Sequence, residues 1–503
     1  MFEGKTHAAM RLLTDGGRSN ILPLDRLVDG RSSRTVRDEL KAKHPAARPA
    51  SEAALLTASQ SNIPTHPVLF DGITAASIKA SAMRCQGSAG PSGLDSAAWQ
   101  RLCFSFKGAS ADLCTALALV ARRLATEHVD PAGLSALVAS RLIALDKCPG
   151  VRPIGVGEVS RRIIAKAILQ VVGNDVREVT GARQLCAGQP AGVEAAVHAI
   201  RELFTSDDSQ GVLLVDAANA FNNINRQVAL RNIQLLCPSI ATVLINTYRQ
   251  PTDLFIDGEV LHSEEGTTQG DPLAMALYAL ATVPHANQCT VNDLGEVWLV
   301  DDASASGKLR SLLDWWTKLS TIGPSFGYFP NSSKTWLVVH PDHLEEARSL
   351  FGTTGVQIAT DGRRELGAPL GSISFVERYV SEKVEAWLNE LDRLCIFARS
   401  QPHAAYCAFC QGLRSKWLYL LRTVPDIASL MQPLEDKIRQ CFIPVITGQE
   451  APNDVVRDLL APPGCLGGLS LCNPAAQADT EYNASTHLTA PLVALIVARE
   501  VSW

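Results

Sequence analysis

Two short apolar runs in this chain end in carboxylates, and that pairing restricts the folds open to it more than any other feature. Gly211-Val-Leu-Leu-Val215 leads into Asp216, and Glu296-Val-Trp-Leu-Val300 leads into the pair Asp301-Asp302. Apolar runs this short, bounded by polar residues, read as buried strands, so all three aspartates fall at strand ends. Ala303-Ser-Ala-Ser-Gly307 after the pair suits a return strand. A lone aspartate at a strand end serves as a turn residue or helix cap. Adjacent carboxylates, in contrast, repel and cost stability unless a cation or an arginine neutralises them. Three of them on two neighbouring strand ends are the ligand chemistry of a pair of hard divalent cations about 4 Å apart.

The rest of the chain supports a globular protein of more than one core. It has 503 residues, 46% apolar and 19% charged, with no long polar tract. No run approaches the roughly 18 to 20 apolar residues that span a bilayer; the nearest is Ala490–Ala498. Thirteen cysteines without regular spacing, and no secretory signal, predict a reducing compartment. The expected setting is therefore intracellular, nucleus or cytoplasm, not secreted and with no membrane partner. Cys407 and Cys410 have the gap of a zinc pair with His403 one turn before, but Cys465, Cys472 and His487 supply no matching second pair, so buried thiols are expected. Asn331-Ser-Ser and Asn483-Ala-Ser match glycosylation acceptors without a secretory route to use them.

The net charge of -5 argues against a nucleic-acid partner, yet the charge is uneven. Arg141 to Arg183 holds eight basic residues against four acidic ones, and Leu391 to Arg422 five against one. Two basic segments on an acidic background suit a charged groove.

Along the chain, residues 1-66 read as a loosely ordered leader with little chemistry. Residues 67-209 are expected to be mainly helical, with a helix over Asp112–Leu124 and a helix start at Asp130-Pro131. Residues 210-375 mix strands and helices: Leu254-Phe-Ile, Asp257-Gly258 and Glu-Val-Leu261 predict a hairpin, and helices are expected near Arg226–Leu236 and Pro272–Thr282. Residues 376-449 turn helical again, and 450-503 hold short apolar pieces among glycines. The fold class is α+β around an antiparallel sheet.

These residues resemble a known family. Asp216-Ala-Ala-Asn-Ala-Phe-Asn222 is similar to the first palm motif of reverse transcriptases, Thr268-Gln-Gly-Asp-Pro-Leu-Ala274 to the second, and Leu299-Val-Asp-Asp302 to the aspartate-pair motif. Arg152-Pro-Ile154 with Arg161-Arg162-Ile-Ile-Ala-Lys166 resembles the fingers motif, and Gly90-Pro-Ser-Gly-Leu-Asp95 an element of non-LTR retrotransposon enzymes. Asn331-Ser-Ser-Lys-Thr335 resembles the lysine-bearing palm motif, and Leu366-Gly-Ala-Pro-Leu-Gly371 the primer-grip region. The resemblance covers roughly residues 68 to 475. One position departs: the family usually has an aromatic residue two before the aspartate pair, where this chain has Leu299.

The resemblance implies a right-hand polymerase, with helical fingers (67-209), an antiparallel-sheet palm carrying the aspartates (210-375), a helical thumb (376-449) and a connection segment (450-503). It implies RNA-directed DNA synthesis with two Mg2+ ions, Mn2+ being a possible substitute, on an RNA or DNA template with primer and deoxynucleoside triphosphates; no protein partner is indicated. Asp216 and Asp301 would be the principal ligands, with Asp302 an occasional one and the Ala217 carbonyl contributing on the nucleotide side. Phe221 stands where the family places a ring under the sugar that would exclude a 2′ hydroxyl; the plain alternative is a core residue. Gln269 and Gly270 would let backbone approach the templating base pair, with Asp271 capping a helix whose first turn holds Pro272. Arg152 and Lys147 would hold the triphosphate, and Lys334 would protonate the departing pyrophosphate. A catalytically inactive relative acting as a nucleic-acid-binding module is the second reading, and a palm-type RNA polymerase, opposed by Phe221, the third.

Overall fold

The computed structural model describes residues 20–28, 33–57, 67–147 and 150–499. Strands β1 (Ser140–Asp146) and β2 (Val151–Gly157) form an antiparallel hairpin. The fully buried β3 (Gly211–Val215) follows, then the hairpin β4 (Thr252–Ile256) and β5 (Glu259–Ser263). Two residues separate β6 (Gly295–Leu299) from β7 (Asp302–Gly307), and β8 (Trp336–Val339) and β9 (Gln357–Ala359) come later. The last strands are β10 (Gly362–Glu365) and β11 (Ala368–Gly371).

The aspartate-bearing strands share one five-stranded sheet of order β6-β7-β3-β8-β9. β7 and β8 run antiparallel on either side of β3, and β9 is parallel to β8. The sheet is thus antiparallel in its centre rather than throughout. The apolar runs are continuous because both faces are covered. Leu213, Val215, Trp298, Ala303, Ala305 and Leu337 join one core, with the helices Val159–Thr180, Arg226–Leu236, Pro238–Tyr248, Ala274–Cys289 and Leu309–Phe326. Val212, Leu214, Val297, Leu299 and Val338 point the other way, into a second core with the helix Gly192–Thr205. This is the two-residue alternation of a strand sandwiched between layers.

The predicted hairpin forms at β4–β5, and Asp257 (φ 45°) and Gly258 (φ 78°) make the left-handed turn that Asp-Gly favours. It does not join the aspartate sheet. β4 pairs in parallel with β1, giving a separate four-stranded sheet β2-β1-β4-β5. Asp130 accepts from the Ala132 amide at 3.0 Å but heads only a short turn, Pro131–Gly133 and Ser135–Val138, before β1 begins. The helix expected over Pro272–Thr282 runs Ala274–Cys289.

A third core is all helical, built by Ile373–Ala398, Pro402–Ala408, Ser415–Thr423 and Ala428–Lys437. The C-terminal residues, expected as short pieces, form the 25-residue helix Pro474–Ala498. Ala478 belongs to this third core, while Leu492, Val493 and Ile496 pack behind the aspartate sheet. One helix thereby ties two cores together. Among the described residues no single helix is long and apolar enough to cross a membrane.

Candidate functional site

Strand pairing brings the three aspartates together. Val215 pairs with Ala303 across β3 and β7, so Asp216, one residue past Val215, and Asp302, one before Ala303, lie at the same end of the sheet. Leu299 pairs with Asp302, which makes Val300-Asp301 the two-residue tip of the β6–β7 hairpin. The Asp216 carbonyl accepts from the Asn331 amide at 2.8 Å, and the Ala218 amide donates to the Phe329 carbonyl at 2.8 Å. Ala217 is bridged to Pro330.

The carboxylates feel one another. Burial, and then the charge of Asp216, holds the Asp301 carboxyl above its ordinary range, against Lys147 and Arg152. Asp302 is pushed up to about 7 by burial, then by Asp301 and Asp216, against Lys147 and Arg364. Asp302 keeps an exposed edge, so repulsion by two neighbouring carboxylates is the cause that the geometry supports most directly. Glu365, at the end of β10, is pushed up to about 8, first by burial and also by Asp302, although the Ser304 hydroxyl donates to it.

Lys147 and Arg152, exposed on the β1–β2 hairpin, therefore face the aspartates from the other sheet. Lys334 lies in the short turn Ser332–Lys334, three residues after Asn331; among the described residues its exposed ammonium meets no carboxylate. Phe221 is half-buried, with its ring stacked on Tyr278 at 4.6 Å. Its carbonyl accepts from the Thr267 amide at 2.7 Å, which links the turn after Asp216 to the Thr268-Gln269 segment.

Gly270 and Asp271 are both fixed by contacts with distant segments. Gly270 has φ 109°, and a Cβ there would lie 2.5 Å from the Gly155 carbonyl; the glycine admits protein backbone of β2. Beside it the Gly155 amide donates to the Gln269 carbonyl at 2.8 Å. Asp271 caps the Leu273 amide at 3.0 Å, before the helix itself begins. Its other oxygen is held by Arg161 and, at 2.6 Å, by the Tyr248 hydroxyl, in a pair whose side chains are 7% and 2% exposed. Arg161 is thus a buried partner of the Thr268–Ala274 segment.

Sequence reasoning passed over four features. Residues 33–57, expected to be loose, pack against the turn after Asp216. The Lys43 carbonyl accepts from both Asn219 and Asn222 at 2.8 Å, and Arg48 donates to the Asn223 carbonyl and lies over the Phe329 ring. Arg226, read only as a helix start, is buried and donates to Ser263, Glu265 and Gly266 behind Thr268. The Tyr328 hydroxyl donates to the Asp301 carbonyl at 3.2 Å. Gln184 contacts the backbone of Val300. The asparagine at 219, a residue type that tolerates the left-handed conformation it takes here (φ 50°), was the one signal in the sequence of the turn that the Lys43 carbonyl holds; the others depend on contacts between distant segments.

Among the described residues, no group of three or more His, Cys, Asp and Glu side chains is gathered as a ready metal site. Mg2+, however, is bound through one or two carboxylates plus waters and substrate phosphates rather than in a closed protein cage. Hard oxygen donors on an open face, repelling one another, fit that ion.

No family model matches this sequence, and no curated protein matches it. Among solved structures, apo telomerase from Candida tropicalis is similar at 11% identity with a TM-score of 0.39, over 74% of this chain and 68% of that one. Telomerase from Candida albicans, in complex with a TWJ fragment of telomeric RNA, is similar at 11% identity with a TM-score of 0.35, over 70% of this chain and 66% of that one. Likenesses this loose establish neither family nor activity.

Proposed function

We propose that this chain is the core of an RNA-directed DNA polymerase of the retrotransposon type, transferring a deoxynucleotide to a primer 3′ hydroxyl. The observation that carries the reading is the meeting of Asp216, Asp301 and Asp302 at one end of one sheet, faced by Lys147 and Arg152 from another. On this reading residues 67-209 are the fingers, 210-375 the palm, 376-449 the thumb and 450-503 a connection segment. The β4–β5 hairpin, by its pairing with β1, would move with the fingers.

Asp216 and Asp301 would hold two Mg2+ ions, with Asp302 beside them. When bound, the ions lower the pKa of the attacking hydroxyl and neutralise charge on the leaving pyrophosphate. Arg152 and Lys147 would bind the triphosphate oxygens, and Lys334 would deliver a proton to pyrophosphate. Phe221, braced on Tyr278, would lie under the sugar and reject a 2′ hydroxyl. Gln269 and Gly270 would sit near the templating base, with their backbone fixed against β2.

The test is extension of a DNA primer on an RNA template with Mg2+. The expected result is incorporation of deoxynucleotides that falls to background in Asp301→Ala. No incorporation by the purified chain, or unchanged incorporation by that variant, would overturn the reading. Leu299, buried where the family usually has an aromatic ring, favours the second reading of an inactive nucleic-acid-binding relative; that reading predicts duplex binding without extension.

A further inference from the structure

We infer that Gln184 is the positioning residue for Asp301, acting through the backbone of Val300; the inference rests on the reading of Asp301 as a metal ligand. Val300 has φ 57°. A left-handed conformation is rare for any residue with a side chain and most adverse for a β-branched one. The Val300-Asp301 tip therefore needs an external brace to hold the orientation in which Asp301 is presented.

Gln184 supplies that brace. It is 1% exposed, in the loop between the helices Val159–Thr180 and Gly192–Thr205. The Val300 amide donates to its Oε1 at 2.8 Å, and its Nε2 donates to the Val300 carbonyl at 3.0 Å. The same Nε2 donates to Thr282 Oγ1 at 3.1 Å, whose own hydroxyl is turned to the carbonyls of Tyr278 and Ala279 at 3.0 Å. The carboxamide has one orientation, since turning it over would set its NH2 against the Val300 amide and its oxygen against the Val300 carbonyl. The next residue repeats the attachment, with the Leu185 amide donating to the Trp298 carbonyl at 3.0 Å.

Only a carboxamide of this length satisfies an amide and a carbonyl of the same residue together. Glutamate loses the donor, and leucine loses both partners.

The test uses the full chain and Mn2+ alone, read by electron paramagnetic resonance, with hydrogen exchange across the β6–β7 tip and thermal unfolding as companion measurements. Gln184→Leu is expected to weaken Mn2+ binding about 10- to 100-fold, the usual effect of losing a group that orients a metal ligand. Exchange at the Val300 amide should accelerate while unfolding stays cooperative. Adding Val300→Gly should recover most of the lost binding, because glycine adopts positive φ without strain. Wild-type binding in Gln184→Leu, or no recovery with Val300→Gly, overturns the inference, the latter because the loss is then general core damage. A wild-type chain that binds no Mn2+ defeats the metal-site reading instead. The brace is then decided by exchange alone: lost protection of the Val300 amide in Gln184→Leu supports it, and retained protection overturns it.

Discussion

Asp302 stands one residue from the turn that carries Asp301, with its carboxyl pushed up to about 7. Its folded pKa lies above its unfolded value, so without metal the group adds most to stability below about pH 4, and that contribution is lost as pH rises through about 7. Metal binding needs the deprotonated form and so has the opposite sign. Mn2+ affinity should therefore climb between about pH 6 and 8, and Asp302→Asn should flatten that rise; titrations at three pH values would show it. At Phe221, removal of the ring in Phe221→Ala should admit ribonucleotides more readily in single-nucleotide incorporation, and an unaltered preference would return the residue to its packing role on Tyr278. All three aspartates were legible in sequence because a buried strand and its polar end are local patterns. Glu365, Tyr328 and Gln184 were not, because each acts through a contact with a residue tens of positions away or more.

At the scale of elements, the hairpins were the clearest part of the sequence. Asp257-Gly258 dictates its own turn, whereas the partnership of β4 with β1 joins segments over a hundred residues apart and leaves no local mark. The requirement for glycine at Gly270 also has a cause within the fold, the approach of the Gly155 carbonyl. Gly270→Ala should strain the junction between β2 and the Gln269 segment and cost about 1–3 kcal/mol in chemical denaturation, because the clashing atom is a backbone carbonyl that cannot swing aside. In the helical third core, Arg457 holds Glu435 through two hydrogen bonds of 2.6 Å, with both side chains at least 96% buried. Arg457→Met should leave that carboxylate uncompensated and cost about 3–5 kcal/mol in the same measurement.

For the molecule as a whole, the helix Pro474–Ala498 decides how its parts are held. Arg422 bridges Glu194 of the helix behind the aspartate sheet and Glu481 of this C-terminal helix, at 2.7 and 3.2 Å. The sequence concealed the helix because alanines and Pro491 blur its apolar stripe. Ile496, 4% exposed, lies in one core with Leu299 and Val297. Ile496→Ala should cost about 2–5 kcal/mol and lower the melting temperature, even though the residue is remote from every proposed ligand. The same packing imposes a waiting time on the nascent chain. The face formed by Val297 and Leu299 has the earlier helix Gly192–Thr205 to pack on, but Ile496 emerges almost 200 residues later, so at roughly 5–20 residues per second this core stays incomplete for about 10–40 s of synthesis. Through that interval the part of the core that Leu492, Val493 and Ile496 later fill is open to chaperones and to other unfinished chains.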